Sequence, residues 1–162
     1  MGTQAQSQHS YTLDADKILH DGAVLAADSP GEIATVEKVV DFGATASGTS
    51  VENTAFGKYD MVVDVRAVES GTADEGYQFI FQLSDTADFT GVVVNRAVVS
   101  VGVDGGLLAT SGADDDYALG RRVVGVDNEH AGTIYRYGRV LIVIVGTIAT
   151  GIEGFVWLAE KK

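Results

Sequence analysis

Residues 77–83, YQFIFQL, alternate apolar and polar side chains, and this pattern constrains the fold more than any other feature of the chain. Successive side chains of a β-strand point to opposite faces, so a period of two indicates a strand with one buried face. The glutamines Gln78 and Gln82 are predicted to point outward. Ile80 interrupts that polar face, and we expect it to contact a partner. Four large side chains are predicted to point into a core: Tyr77, Phe79, Phe81 and Leu83.

Short apolar runs separated by turn-forming residues recur along the rest of the chain. There are 20 glycines and a single proline, and β-branched residues, which suit the pleated surface of a sheet, are abundant. The rhythm predicts an all-β fold, a jelly-roll-like antiparallel β-sandwich of about eight strands with a short polar N-terminal arm. The predicted strands are 17–19 (a short edge piece), 33–42, 59–68, 77–83, 92–103 (broken near Asn95 and Arg96), 121–126, 134–145 and 152–158.

Length and composition indicate one domain. A chain of 162 residues, 46% of them apolar, can bury a core without disulfides, and it contains no cysteine. We predict a flexible arm over residues 1–10 and a single sandwich domain over residues 11–162. The N-terminal sequence has neither a basic nor an apolar region, so we do not expect a secretory signal there. Residues 140–158 approach the length of a membrane span, but Glu153 and the turn-like GTIATG favour two core strands joined by a tight turn.

The formal net charge of −12 limits the classes of partner. Binding to nucleic acid requires a footprint of lysine and arginine, and anionic membrane surfaces attract basic segments. With 11 basic and 23 acidic residues, we expect neither nucleic acid nor a membrane as a partner.

The sequence offers no convincing catalytic motif. His9, His20 and His130 are far apart and lack metal-ligand spacing, and His20 is predicted to lie on the surface near a turn. The run Asp114–Asp116 could supply oxygen ligands to a cation, but its spacing does not match a calcium loop, and a solvated acidic loop is the preferred interpretation. We therefore predict no enzyme activity and no cofactor.

The segment TIYRYGR contains the aromatic residues predicted to be most exposed, Tyr135 and Tyr137, alternating with Arg136 and Arg139. Tyrosine and arginine are favoured at protein interfaces, so this segment is either an interface or an ordinary strand edge with arginines reaching to solvent. Trp157 lies in a strongly apolar strand and is predicted to be in the core.

Several short motifs occur in an order that resembles the jelly-roll cement, or decoration, proteins of tailed-phage heads, the family typified by a Bordetella podophage. The resemblance covers residues 11–158 and departs from the family pattern in the loops at 113–116 and 127–132. Its motifs are Tyr11, Leu13 and Asp14 of a Y-x-L-D opening, Asp21 and Gly22, the VVDFG strand end at 39–43, the alternating strand running into a turn at 79–89, and a glycine-led strand ending at Leu158.

The resemblance implies a structural virion protein that binds the outer surface of the expanded head as a homotrimer. Its partner would be the phage major capsid protein, whose neighbouring copies it would hold together. Nine residues are the candidate contacts with the capsid or another partner: Gln4, Gln6, His9, Tyr11, Ile80, Tyr135, Arg136, Tyr137 and Arg139.

Two alternatives remain open from the sequence. A carbohydrate-binding sandwich would need exposed aromatic platforms, whereas the aromatic residues here fall mostly at inward positions. A head-fibre or tail component of a virion is the other. A cupin-type enzyme is disfavoured because it would need clustered histidines.

Overall fold

The computed structural model describes residues 15–43, 56–71, 74–102 and 119–160, and within these ranges the regular structure is β-strand apart from one 3-10 turn, η1 (Ala15–Lys17). The strands are β1 (Ile18–Leu25), β2 (Ser29–Pro30), β3 (Glu32–Ile33), β4 (Val36–Glu37), β5 (Val40–Asp41), β6 (Lys58–Val68), β7 (Gly76–Ser84), β8 (Val93–Gly102), β9 (Gly120–Asp127), β10 (Glu129–His130), β11 (Thr133–Ile134), β12 (Tyr137–Val145) and β13 (Ile152–Glu160).

The longer strands form two antiparallel sheets. Sheet I has the order β1-β13-β6-β9, and sheet II has the order β2-β12-β7-β8, with β5 also pairing with β12. Since β2 and β5 share one position beside β12, the described residues form eight strand positions in the two sheets. The first pairs with the eighth, the second with the seventh, the third with the sixth and the fourth with the fifth. The prediction of an all-β antiparallel sandwich is confirmed.

The inner faces of the two sheets enclose the main core. The alternation in residues 77–83 predicts the buried face of β7 correctly, since all four large apolar side chains of that face are inaccessible to solvent. Sheet I contributes Met61, Val63 and Leu158 from its central strands, and sheet II adds Val140 and Ile142. Apolar burial of this kind is the main stabilising contribution to a sandwich.

The predicted break near Asn95 and Arg96 is a β-bulge. Phe81 pairs with Ala97, but the next residue, Gln82, pairs with Asn95, so Arg96 is an extra residue in β8. The extra residue shifts the alternation of side chains by one position, so apolar side chains on both sides of the bulge can point to the same face of the sheet. The Arg96 side chain is thereby directed to the edge of the sandwich, where it meets Asp127 on β9.

The prediction of one long strand over 33–42 is wrong. The chain makes a small hairpin, β3 and β4, that turns at Ala34 and Thr35, both of which have positive φ. Two consecutive left-handed residues are typical of the tight turns whose twist suits a hairpin. Neither residue is glycine or asparagine, so the sequence lacks the usual signal for this turn.

Two other strand predictions need correction. The edge strand predicted at 17–19 does lie at the edge of sheet I, but β1 extends to Leu25. The strand predicted at 134–145 begins only at Tyr137, because Thr133 and Ile134 pair with β10 in a separate hairpin. From Tyr137 onward, β12 is a central strand, as its two apolar faces predict.

Residues 140–158 form two strands, as predicted. They are β12 and β13, which lie in different sheets, so the GTIATG connection crosses from one sheet to the other rather than closing a hairpin. Glu69 holds this connection by accepting the backbone N–H groups of Ala149, Thr150 and Gly151. Among the described residues, no helix is long and apolar enough to cross a membrane.

Candidate interaction surface

Four of the predicted contact residues, Gln4, Gln6, His9 and Tyr11, lie outside the described residues, as does the acidic run 114–116. Their roles stay predictions.

Ile80 points to the outer face of sheet II but is only 2% exposed. It lies between Val98 on β8 and Leu141 on β12, which are its direct cross-strand neighbours. The flanking glutamines are also buried: Gln78 donates to Ser100 Oγ over 3.0 Å and Gln82 to Asn95 Oδ1 over 2.9 Å. This part of the outer face is therefore a packed layer in the folded chain.

Tyr135 is 8% exposed and belongs to the main core, so the expectation that it is an exposed aromatic is wrong. The reason is a pair of hydrogen bonds between Asn128 and Tyr135. The Asn128 side-chain amide donates to Tyr135 O over 3.1 Å, and Tyr135 N donates to Asn128 O over 2.8 Å. These bonds turn the residue after the β10–β11 hairpin inward.

Arg136 binds the chain's own Asp41. Its Nε and Nη2 atoms donate to the two carboxylate oxygens over 2.9 Å each, and its guanidinium lies 5.2 Å from the centre of the Tyr137 ring. The hydrogen bonds from Arg136 hold the pKa of Asp41 below its ordinary value, helped by the Gly43 N–H and opposed by partial burial. The pair anchors β5 beside β12.

Arg139 is also engaged within the chain. Its Nε donates to Gln82 Oε1 over 3.0 Å and its Nη1 to Glu37 Oε1 over 2.6 Å. The guanidinium stacks 4.2 Å from the centre of the Phe89 ring, in the turn after β7. Arg136 and Arg139 thus connect elements within the chain. Of the four predicted contacts in the TIYRYGR segment, the half-buried Tyr137 is the one that is neither buried nor paired with a carboxylate.

His20 is buried, which corrects the prediction of a surface histidine. Its Nδ1 accepts the Glu32 N–H over 3.2 Å, and its Nε2 lies 3.0 Å from Ala23 O. Since a carbonyl can only accept, Nε2 is the donor in this contact. His20 therefore ties the β3–β4 hairpin to β1. Within the described ranges, no three His, Asp or Glu side chains are grouped so that they could hold a metal ion.

A second apolar cluster lies on the outer face of sheet I, and the sequence-based predictions did not include it. Val62, Trp157 and Ala159 form its buried part, and Ile18 and Phe155 pack against it. Trp157 is buried, as predicted, but on the opposite side of β13 from the main core. The signal in the sequence is that residues 155–159 are apolar at every position, which indicates a strand covered on both faces.

Two arginines lie on this cluster. Arg66 is 5.2 Å from the centre of the Phe155 ring and Arg121 is 5.3 Å from the centre of the Trp157 ring. The two rings contact each other with centroids 5.5 Å apart. We call this surface, made by the five cluster residues together with Arg66 and Arg121, the outer aromatic face.

In comparisons with known proteins, the chain matches no family model, no curated protein and no solved structure.

Proposed function

We propose that this chain is a capsid cement protein, a structural virion component that binds the outer surface of an expanded phage head as a homotrimer. It would stabilise contacts between neighbouring major capsid proteins. The proposal has its origin in the order of sequence motifs that resembles the cement family.

The observation that carries the proposal is the pairing of the eight strand positions. First with eighth, second with seventh, third with sixth and fourth with fifth is the order obtained when one long hairpin is rolled into two sheets. This order supports a jelly roll with two Greek keys, the architecture that the family resemblance implies. A fold alone hosts many functions, so a binding experiment has to test the role.

Three of the polar groups considered as candidate site residues have structural roles. His20, Arg136 and Arg139 each bridge elements of the sandwich. The net charge of −12 suits the outside of a shell, since a protein lining packaged DNA would be repelled.

Stabilisation would follow from linkage. A protein that binds the expanded lattice better than other states of the shell shifts the equilibrium toward that lattice. Many identical contacts on a symmetric shell add their effects, so each contact can be weak.

The test is co-sedimentation of the purified protein with expanded, empty heads that lack it. We expect saturation at one copy per major capsid subunit, little binding to unexpanded shells and a higher melting temperature of the decorated heads. Absence of binding contradicts the proposal. Binding on a glycan array would then favour a carbohydrate-binding sandwich. If no glycan binds, a head-fibre or tail component of a virion becomes the alternative to test.

A further inference from the structure

We propose that the outer aromatic face of sheet I binds an extended acidic segment of a protein partner. Arg66 and Arg121 would pair with carboxylates of that segment, and the indole N–H of Trp157 would donate to one of its oxygens. The identification of the partner as the shell protein rests on the function proposed above, whereas the binding chemistry of the face does not.

The first argument is how the chain uses its arginines. Arg96, Arg136 and Arg139 each form a hydrogen-bonded pair with a carboxylate. Arg66 only approaches Asp64, at 3.7 Å, and Arg121 makes no hydrogen bond or ion pair with the part of the chain that the structure describes.

That difference is unexpected in a chain with 23 acidic and 11 basic residues, where carboxylates are in excess. Holding a guanidinium over an aromatic ring keeps its planar set of N–H donors free at the edge. Both exposed arginines therefore present donors to an incoming acceptor.

The second argument is the buried indole. Trp157 is 5% exposed, and among the buried side-chain nitrogen and oxygen atoms of the described residues its Nε1 is the one without a hydrogen-bond partner. A buried donor without an acceptor destabilises the folded state by roughly 1–3 kcal/mol. A hydrogen bond to an oxygen of the partner would remove that penalty. The oxygen would gain access to Nε1 when the Arg121 guanidinium moves off the Trp157 ring to pair with a carboxylate of the partner.

Spacing specifies the segment. Asp64 on β6 is the cross-strand neighbour of Arg121, and Arg66, the extra residue of a β-bulge opposite β13, lies two residues beyond Asp64, so the two arginines lie roughly 7–8 Å apart. Side chains two residues apart on an extended strand are separated by roughly 6.5–7 Å. Carboxylates at positions i and i+2 of an extended segment therefore match the arginines, and Val123, which is 43% exposed, offers an apolar contact alongside.

The test uses a synthetic peptide, Gly-Thr-Asp-Thr-Asp-Thr-Asp-Thr-Gly, and the same peptide with Asn in place of Asp. Trp157 is the only tryptophan in the chain, so its fluorescence reports directly on the face. We expect a saturable change with the Asp peptide and none with the Asn peptide. The double variant Arg66→Gln/Arg121→Gln should bind at least about tenfold more weakly. Binding should weaken with added salt.

Three further variants separate binding from folding. Lys58→Gln removes one positive charge from the far end of β6 and should leave peptide affinity unchanged. Asp64→Asn removes the carboxylate beside the two arginines and should tighten binding, an effect that a purely structural role for the arginines does not produce. Arg66→Lys/Arg121→Lys keeps both positive charges but lacks the planar guanidinium groups, so it should bind the Asp peptide more weakly than the unaltered chain and more tightly than the glutamine variant. If the glutamine variant does not fold, the lysine variant takes its place in the comparison.

The outcomes distinguish this inference from the proposed function. No binding of the Asp peptide to the unaltered chain, or equal binding by the Arg66→Gln/Arg121→Gln variant, overturns the inference. Self-association lost in that variant, without peptide binding, assigns the face to a second copy and also overturns it. If the variant loses peptide binding but decorates heads as well as the unaltered chain does, the cement function stands and the shell protein is excluded as the partner of this face. If the unaltered chain binds the peptide but not heads, the surface stands and the cement role fails.

Discussion

Arg96 on β8 and Asp127 on β9 form an ion pair with two hydrogen bonds that joins the two sheets at one side of the sandwich. Nε donates to Oδ1 over 2.8 Å and Nη2 donates to Oδ2 over 3.0 Å. Because β8 and β9 are the edge strands of sheet II and sheet I, this pair links edges that have no backbone pairing with each other. The hydrogen bonds from Arg96 lower the pKa of Asp127, and the same bonds raise the pKa of Arg96.

Removing this pair should destabilise the fold modestly. Arg96 and Asp127 have side chains 35% and 24% exposed, so solvent screens their attraction, and we expect Arg96→Gln or Asp127→Asn to lower the free energy of unfolding by about 1 kcal/mol. Urea unfolding followed by Trp157 fluorescence measures this. In a double-mutant cycle, fully additive effects of the two changes would show that the ion pair contributes nothing.

Gly151 should be far less replaceable than Gly132, although both have positive φ, +86° and +82°. An alanine Cβ at Gly151 would collide with the carbonyl of Leu25, whereas a Cβ at Gly132 would meet no atom of the described residues within 4 Å. Gly132→Ala should therefore cost only the backbone strain of about 1–2 kcal/mol. Gly151→Ala should cost clearly more, because backbone atoms must move. Melting temperatures of the two variants make the comparison, and equal losses would contradict it.

Asp41 should make stability depend on acid pH. Its pKa in the folded chain lies below the unfolded value, mainly because of the hydrogen bonds from Arg136. The unfolded state therefore binds more protons between the two pKa values, so the stabilisation is present above about pH 4 and is lost as the pH falls through the folded pKa. Asp41→Asn should be less stable than the unaltered chain at pH 7, and the difference should vanish on acidification.

The control for this pH effect is Arg136→Gln. In the Arg136→Gln variant the Asp41 carboxylate has lost its main partner, so adding Asp41→Asn should change the urea midpoint little at pH 7 or at pH 2.5. A difference that persists unchanged at pH 2.5 would show that the carboxylate charge is not responsible.

Replacing His20 should destabilise the chain through unpaired backbone groups. His20→Phe has a similar shape but leaves the N–H of Glu32 and the carbonyl of Ala23 without partners. We expect a loss of about 1–3 kcal/mol in the free energy of unfolding and faster amide exchange at Glu32. His130→Phe is the matched control at an exposed hairpin position, where little change is expected.

The sequence by itself determined the all-β class, the position of most of the long strands and the inward face of β7. The inward residues of β7, the break near Arg96 and the central place of β12 all follow from local patterns, because alternation and burial are properties of a single strand and its own side chains.

The tertiary structure alone decided strand partners and the exposure of polar and aromatic groups. The hairpin at Ala34 and Thr35 has no glycine signal in the sequence. Tyr135 and Arg139 lie in a segment whose pattern predicts exposed side chains, yet Tyr135 is buried and Arg139 binds side chains of neighbouring strands. Trp157 was expected in the core and lies instead under Arg121 on the outer face. In each case the outcome depends on contacts with residues far away in the chain, which a periodic pattern does not encode.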